Sequence, residues 1–163
     1  MTVLTIIRGI PGSGKTTFAE RLGVPFCEAD QHMVDDAGNY AFDRARLSLC
    51  HARCRDEIEA FLMEGKSCAV SNTNLTIREI VPYLALADKY KVQTVQILTM
   101  RGDYGSTHAV PDDVMARYRE TLASVTDNDL IKAAEAFGYG LLPSLHDVLY
   151  FTRRPTLALK GWK

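Results

Sequence analysis

No stretch of this 163-residue chain approaches the roughly 18 uninterrupted apolar residues that a membrane-spanning helix requires. The start, Met1-Thr2-Val3-Leu4, has no charged leader ahead of an apolar run, which predicts a cytoplasmic protein. There is no internal repeat, low-complexity tract or linker rich in Pro, Gly or Ser, so a single domain over 1–163 is expected. Neither sign of charge dominates: 19 basic and 20 acidic residues give −1, and the chain as a whole does not advertise nucleic-acid binding. The exception is 153–163, where Arg153, Arg154, Lys160 and Lys163 stand without an acid, a basic tail that either contacts phosphates or is simply solvated. Cysteine is sparse, with Cys27, Cys50, Cys54 and Cys68 alone. With no secretion signal and enough length for an apolar core, these read as free thiols. The cluster Cys50-His51-Ala52-Arg53-Cys54 lacks a second ligand pair at zinc-site spacing, and it reads as core rather than metal site.

What is present is an alternation of strand and helix signals. Val3–Ile7 is a short apolar run suited to a buried strand, followed by a glycine loop and a helix to about Leu22. Val24–Glu28 reads as a second strand ending at Asp30. Asp43 can cap a long helix whose stripe runs Leu47, Cys50, Cys54, Ile58, Phe61 and Leu62, closed by Gly65. Ser67–Val70 is a third strand. Thr76 and Glu79 fit a capping box, but Pro82 predicts a short turn and a helix restarting at the proline. Val92–Leu98 is a fourth strand, Gly102–His108 a polar loop, and Pro111-Asp112-Asp113 the start of a helix carrying Met115, Tyr118 and Leu122. A further helix over about Asn128–Phe137 stops at Gly138, and Val148–Phe151 is a last strand. Such an order predicts an α/β protein with a parallel central sheet flanked by helices on both faces. Ligands then sit beyond the carboxyl ends of the strands, where Gly9–Thr16, the Asp30 region and Ser71–Asn74 should gather.

Gly9-Ile10-Pro11-Gly12-Ser13-Gly14-Lys15-Thr16 satisfies the pattern G-x-x-x-x-G-K-[ST] without departure. Glycines let successive main-chain amides point inward, so Gly12, Ser13 and Gly14, with the helix start at Lys15, Thr16 and Thr17, should cradle phosphate oxygens. Lys15 is expected to reach the β- and γ-phosphates, and the Thr16 hydroxyl to ligate Mg²⁺. A regulatory GTPase is excluded because no Asn/Thr-Lys-x-Asp segment exists to read guanine. A motor or helicase ATPase is disfavoured because the only candidate strand runs into Ser71-Asn72 rather than acids. What remains is the small-kinase class, in which Asp30, at the end of the second strand, would orient the acceptor hydroxyl and receive its proton late. Glu28, two residues earlier on the same side of an extended chain, is the alternative carboxylate. Asp35 and Asp36 read as a turn with Gly38.

Four stretches carry a more specific likeness: Arg8 to Thr17, Ala29-Asp30-Gln31, Ser71-Asn72-Thr73-Asn74-Leu75, and His108-Ala109-Val110-Pro111 leading into Met115 and Tyr118. In these the chain resembles the phage polynucleotide 5′-hydroxyl kinase family and its eukaryotic relatives in the Nedd-binding-protein-like group. The resemblance implies a three-layer P-loop kinase fold with a mobile lid, in a bacterial or phage-infected host cell. It implies an enzyme that moves the γ-phosphate of ATP, with Mg²⁺, to a hydroxyl on DNA or RNA. Asp30 matches the general base, Asn72, Thr73 and Asn74 the acceptor channel, and Arg101 the first lid arginine, catalytic together with Lys15 and Asp30. Met33 stands where the phage enzymes carry an arginine for the acceptor phosphate, and Gly105 where they carry a second lid arginine. Arg117 or Arg119 could supply that charge. Other acceptors stay open: a hydroxymethylated base in phage DNA, which would have to be extruded, or a small metabolite or nucleoside. No obligate protein partner is evident.

Overall fold

In a computed structural model, which describes residues 1–106, 108–143 and 148–155, the first apolar run forms β1 (Val3–Arg8). It lies between β3 (Cys68–Ser71) and β4 (Thr94–Thr99), parallel to both, and β2 (Phe26–Cys27) pairs parallel with β3. With β5 (Tyr139–Leu142) and β6 (Val148–Arg153), the strands form one sheet in the order β2-β3-β1-β4-β6-β5. The helices are α1 (Lys15–Arg21), α2 (Leu47–Met63), α3 (Ile77–Lys89), α4 (Asp112–Ser124) and α5 (Asp127–Ala136). Among the described residues no helix is long and apolar enough to cross a membrane.

Alternation along β1 decides which layer each side chain serves. Leu4 and Ile6 enter the larger core with Cys54 and Ile58 of α2, Tyr83 and Leu84 of α3, and Leu130 of α5. Ile7 points to the other face and meets Ala19 of α1 and Ala69 of β3. The result is the expected three-layer α/β sandwich, mostly parallel at its centre. Ile58, Ile80 and Leu84 are fully buried, and each such side chain contributes about 2 kcal/mol of hydrophobic stabilisation. α4 stands apart, with Met115 alone buried among its residues.

Several elements differ from the sequence expectation. The far edge of the sheet is not parallel: β6 runs antiparallel to both β4 and β5. Gly138, at φ 82, turns the chain out of α5 into β5, and β6 lies between β5 and β4, antiparallel to both. β5 escaped notice because Tyr139-Gly140-Leu141-Leu142 is a short edge strand with two exposed leucines. α3 does not restart at Pro82; it runs unbroken from Ile77, with the proline inside it. The ring removes one bond, to the carbonyl of exposed Arg78, where water can replace it. The Thr76–Glu79 capping box and the buried stripe of Ile80, Tyr83, Leu84 and Ala87 outweigh that loss. The strand at β2 is only two residues long, and the chain leaves it through a 3₁₀ turn, Ala29–His32, that carries Asp30. Asp43 caps a second 3₁₀ turn, Arg44–Arg46, which leads into α2. Asp35 does form its turn, accepting from the amides of Ala37 and Asn39 at 2.9 Å each.

Candidate active site

Arg8 ends β1 and ties three strand ends together. Only 1% exposed, it donates through Nε to the Asn74 carbonyl at 3.1 Å and through Nη2 to the Leu75 carbonyl at 2.9 Å. Its Nη1 reaches the Thr99 hydroxyl at 3.4 Å. No carboxylate touches it, and burial pushes its pKa down, with the nearby positive charge of Arg101 acting in the same direction. The next residue, Gly9, donates its amide to the Thr73 carbonyl at 3.0 Å, which locks the phosphate loop to the segment after β3. Gly12 and Gly14 sit at φ 78 and 89, left-handed values that a side chain resists. Gly14 stands immediately before α1, so the loop ends on a helix N-terminus with its free amides.

Lys15 curls back over this loop, its Nζ donating to the Ile10 carbonyl at 2.8 Å. Burial lowers its pKa to about 8, while the charges of Glu28 and Asp30 act against that shift. Both carboxylates therefore face the same ammonium. Thr16 and Thr17 are exposed in the first turn of α1, and the Thr16 hydroxyl donates to Glu28 Oε1 at 2.7 Å. Ser13 and Ser71 each bury a hydroxyl oxygen that has no hydrogen-bond partner among the described residues. Hydroxyls and a carboxylate are hard oxygen donors of the kind a magnesium ion takes. Inward amides, an ammonium and unpaired buried hydroxyls likewise suit a polyphosphate.

Asp30 projects from its 3₁₀ turn with a carboxylate 55% exposed, and His108 Nε2 lies 3.9 Å from Asp30 Oδ2. The His108 ring stacks on Tyr40, with centroids 3.8 Å apart. Asn72 holds the turn from below: its Oδ1 accepts the Ala29 amide at 2.8 Å, and its Nδ2 donates to Tyr83 Oη at 3.3 Å. Asn74 is also buried, at φ 43, with Nδ2 donating to the Ile7 carbonyl at 3.0 Å. These two amides are committed to protein groups, while Thr73 between them is half-buried. Met33 is fully buried, and the Asp43 amide points to its sulfur at 3.4 Å.

A cleft of about 670 Å³ opens between α2 and the start of α3. His51, Arg55, Arg78 and the acid Glu79 line it, with Asn74 and Thr76. Burial lowers the His51 pKa and the Arg55 charge adds to the shift, while the charges of Glu79 and, more weakly, Asp30 oppose it. Among the described residues neither Arg55 nor Arg78 has an ion-pair partner. The sequence contained no local signal for this pair, because α2 and α3 bring together residues 23 positions apart. A smaller hollow of about 190 Å³, lined by Val3, Leu22 and Ser67, lies at the amino ends of the strands, away from where ligands of such sheets bind.

The segment after β4 lies directly on the phosphate loop. The Tyr104 amide donates to the Gly12 carbonyl at 2.9 Å, and a Cβ on Gly12 would come within 2.6 Å of the Gly105 backbone. The Tyr104 ring covers Gly102 and Gly14 yet stays 81% exposed. Arg101 leads this segment and is exposed, close enough to Arg8 to disfavour its charge. Arg117 pairs with Asp113 at 3.2 Å within α4, and Arg119 reaches Asp103 at 3.1 Å. Of the basic tail, Arg153 pairs with Asp88 at 2.5 Å and Arg154 with Glu135 at 2.7 Å. Lys160 and Lys163 lie outside the described residues.

A family model described as an AAA domain matches residues 4–103. Over 100 residues, 57% of the chain, the sequence is 34% identical to human NEDD4-binding protein 2. The chain spans only 6% of the length of that relative. Among solved structures, a chain of the Pnkp1/Rnl/Hen1 RNA repair complex superposes with a TM-score of 0.60 at 15% identity, covering 76% of this chain and 44% of that one. At that identity the likeness is one of fold.

Proposed function

The chain belongs to the AAA-domain family, with a P-loop kinase-like fold, and we propose that it is an ATP-dependent phosphotransferase whose acceptor is a hydroxyl on a nucleic acid. The observation that supports this most is the placing of the Lys15 ammonium within the field of both Glu28 and Asp30, with Arg55 and Arg78, unpaired among the described residues, in a cleft that reaches Asn74.

In this reading the amides of Gly12, Ser13 and Gly14 and the Lys15 ammonium hold the β- and γ-phosphates. The Thr16 hydroxyl, with Glu28 behind it, would hold Mg²⁺, which when bound neutralises charge on the phosphate oxygens. Asp30 accepts a hydrogen bond from the acceptor alcohol and aims its oxygen at the γ-phosphorus. As the new O–P bond forms, the bond from the γ-phosphorus to the bridging oxygen breaks, ADP departs, and the alcohol proton passes to the Asp30 carboxylate. Because the transition state is loose, alignment counts for more than basicity, and an ordinary aspartate suffices. Arg101, entering over the phosphate loop, offsets charge on the transferring group. Asn72 acts indirectly, by fixing Ala29 and hence the angle of Asp30.

Arg55, Arg78 and His51 then take the place that the arginine missing at Met33 would have filled. They face phosphodiesters of the acceptor strand, and the Tyr40–His108 stack beside Asp30 offers a ring for an unpaired base. The test is transfer of labelled γ-phosphate to a panel: 5′-hydroxyl DNA and RNA oligonucleotides, hydroxymethylated duplex DNA, nucleosides and sugars. Label on a polynucleotide is the expected result. Label confined to a small molecule would overturn the nucleic-acid reading and leave the phosphotransferase standing.

A further inference from the structure

Away from the phosphate loop, three side chains from three elements meet beneath the turn that carries Asp30. Cys27 comes from β2, His32 from the end of the 3₁₀ turn, and Glu57 from α2. Cys27 Sγ lies 3.6 Å from His32 Nε2, and the same nitrogen lies 3.1 Å from Glu57 Oε1. All three donor atoms fall within 4.8 Å of one another. Cys54 precedes Glu57 by one turn of α2 and shares a core cluster with Cys27. Both cysteines are fully buried, whereas the His32 and Glu57 side chains are 17% and 44% exposed, which leaves a way in from solvent.

A plain His–Glu ion pair accounts poorly for this arrangement. An imidazole nitrogen carries one hydrogen or one lone pair, so Nε2 makes one good bond, yet a sulfur and a carboxylate oxygen both converge on it. A shared cation resolves the conflict. With the usual zinc bond lengths and tetrahedral angles, sulfur and nitrogen ligands sit about 3.5 Å apart, and nitrogen and oxygen ligands about 3.4 Å apart. The observed separations of 3.6 and 3.1 Å lie close to those values. We infer that Cys27, His32 and Glu57, with Cys54 or a water as fourth ligand, form a binding site for a borderline-soft divalent cation of the zinc type. A thiolate, an imidazole and a carboxylate favour such an ion over magnesium or calcium, which prefer oxygen alone. The site is thus chemically separate from the hard-oxygen group at Thr16. Its ligands at 27 and 32 bracket Asp30, so an ion there clamps the turn to α2.

The experiment is titration of the chelator-treated full chain with Zn²⁺ and with Co²⁺ as an optical probe. The expected result is one equivalent bound, a sulfur-to-cobalt charge-transfer band, strong visible bands of a tetrahedral ion, and a raised melting temperature with Zn²⁺. Cys27→Ser removes the charge-transfer band where water is the fourth ligand and about halves it where Cys54 is, and Glu57→Gln weakens binding by more than about tenfold. Cys68→Ala, in the core away from the cluster, keeps the band. If Cys27→Ser fails to fold, His32→Gln and Glu57→Gln give the same reading on half-exposed side chains. Absence of stoichiometric binding at roughly micromolar metal, or binding unchanged in His32→Gln and Glu57→Gln, overturns the site. Neither outcome depends on the phosphotransferase reading, because no nucleotide or acceptor is present.

Discussion

The Thr16 hydroxyl donates to Glu28 across 2.7 Å, which joins the first turn of α1 to the end of β2. That bond separates two carboxylates that lie only two residues apart. In the proposed reading Glu28 serves the metal side of the site, and Asp30, on the 3₁₀ turn, serves the acceptor side. Glu28→Gln is therefore expected to raise the Mg²⁺ concentration needed for half-maximal transfer by about tenfold, with magnesium-free nucleotide affinity unchanged. A magnesium titration of the rate checks it; an unaltered midpoint would remove Glu28 from that role.

Asp30→Ala should lower transfer by about 10²–10⁴-fold, the usual contribution of a positioned general base. Its carboxylate is 55% exposed and, among the described residues, has no hydrogen bond or ion pair to the phosphate loop, so calorimetry should find nucleotide affinity within about a factor of two of the parent, a change smaller than about 0.5 kcal/mol. Loss of both together would recast Asp30 as structural.

Lys15 supplies a pH test. Burial depresses its pKa to about 8, so in the free protein the ammonium loses its proton as pH rises through that value. A bound polyanion favours the charged form and raises the pKa again. Nucleotide binding above pH 8 must then take up a proton, and affinity should fall by up to about tenfold per pH unit. Lys15→Arg, which stays charged, should flatten the profile. Equal affinities at pH 7 and 9 in the parent protein would contradict the assignment.

Arg55 and Arg78 line the cleft with no carboxylate partner among the described residues. Arg55→Ala and Arg78→Ala should each weaken oligonucleotide binding and reduce its dependence on log salt by about one. Nucleotide affinity should not change. A salt slope equal to that of the parent would mean that the acceptor's phosphates lie elsewhere.

The legibility of the site followed the range of the interactions involved. Gly9–Thr16 could be read directly, because main-chain amides turned inward demand glycine at fixed spacing whatever surrounds them. The capping box at Thr76 and Glu79 was equally local, yet its helix outlasted Pro82 because burial of Ile80, Tyr83 and Leu84 lies beyond any local rule. The last strand was legible at Val148–Phe151, but β5 and the antiparallel direction of that edge were not, for a related reason. A short edge strand has little hydrophobic pattern, and its direction is set by what it pairs with.

By itself the amino-acid order determined the α/β alternation, the phosphate loop and the presence of a carboxylate after the second strand, since each depends on neighbours a few residues apart. Tertiary structure alone decided that Glu28 faces Thr16, that Tyr104 and Gly105 lie on Gly12, that Arg55 and Arg78 line one cleft, and that Cys27, His32 and Glu57 converge. Electrostatic and coordinating interactions act over a few ångströms of space. Only packing of α2 and α3 against the sheet brings residues tens of positions apart within that range.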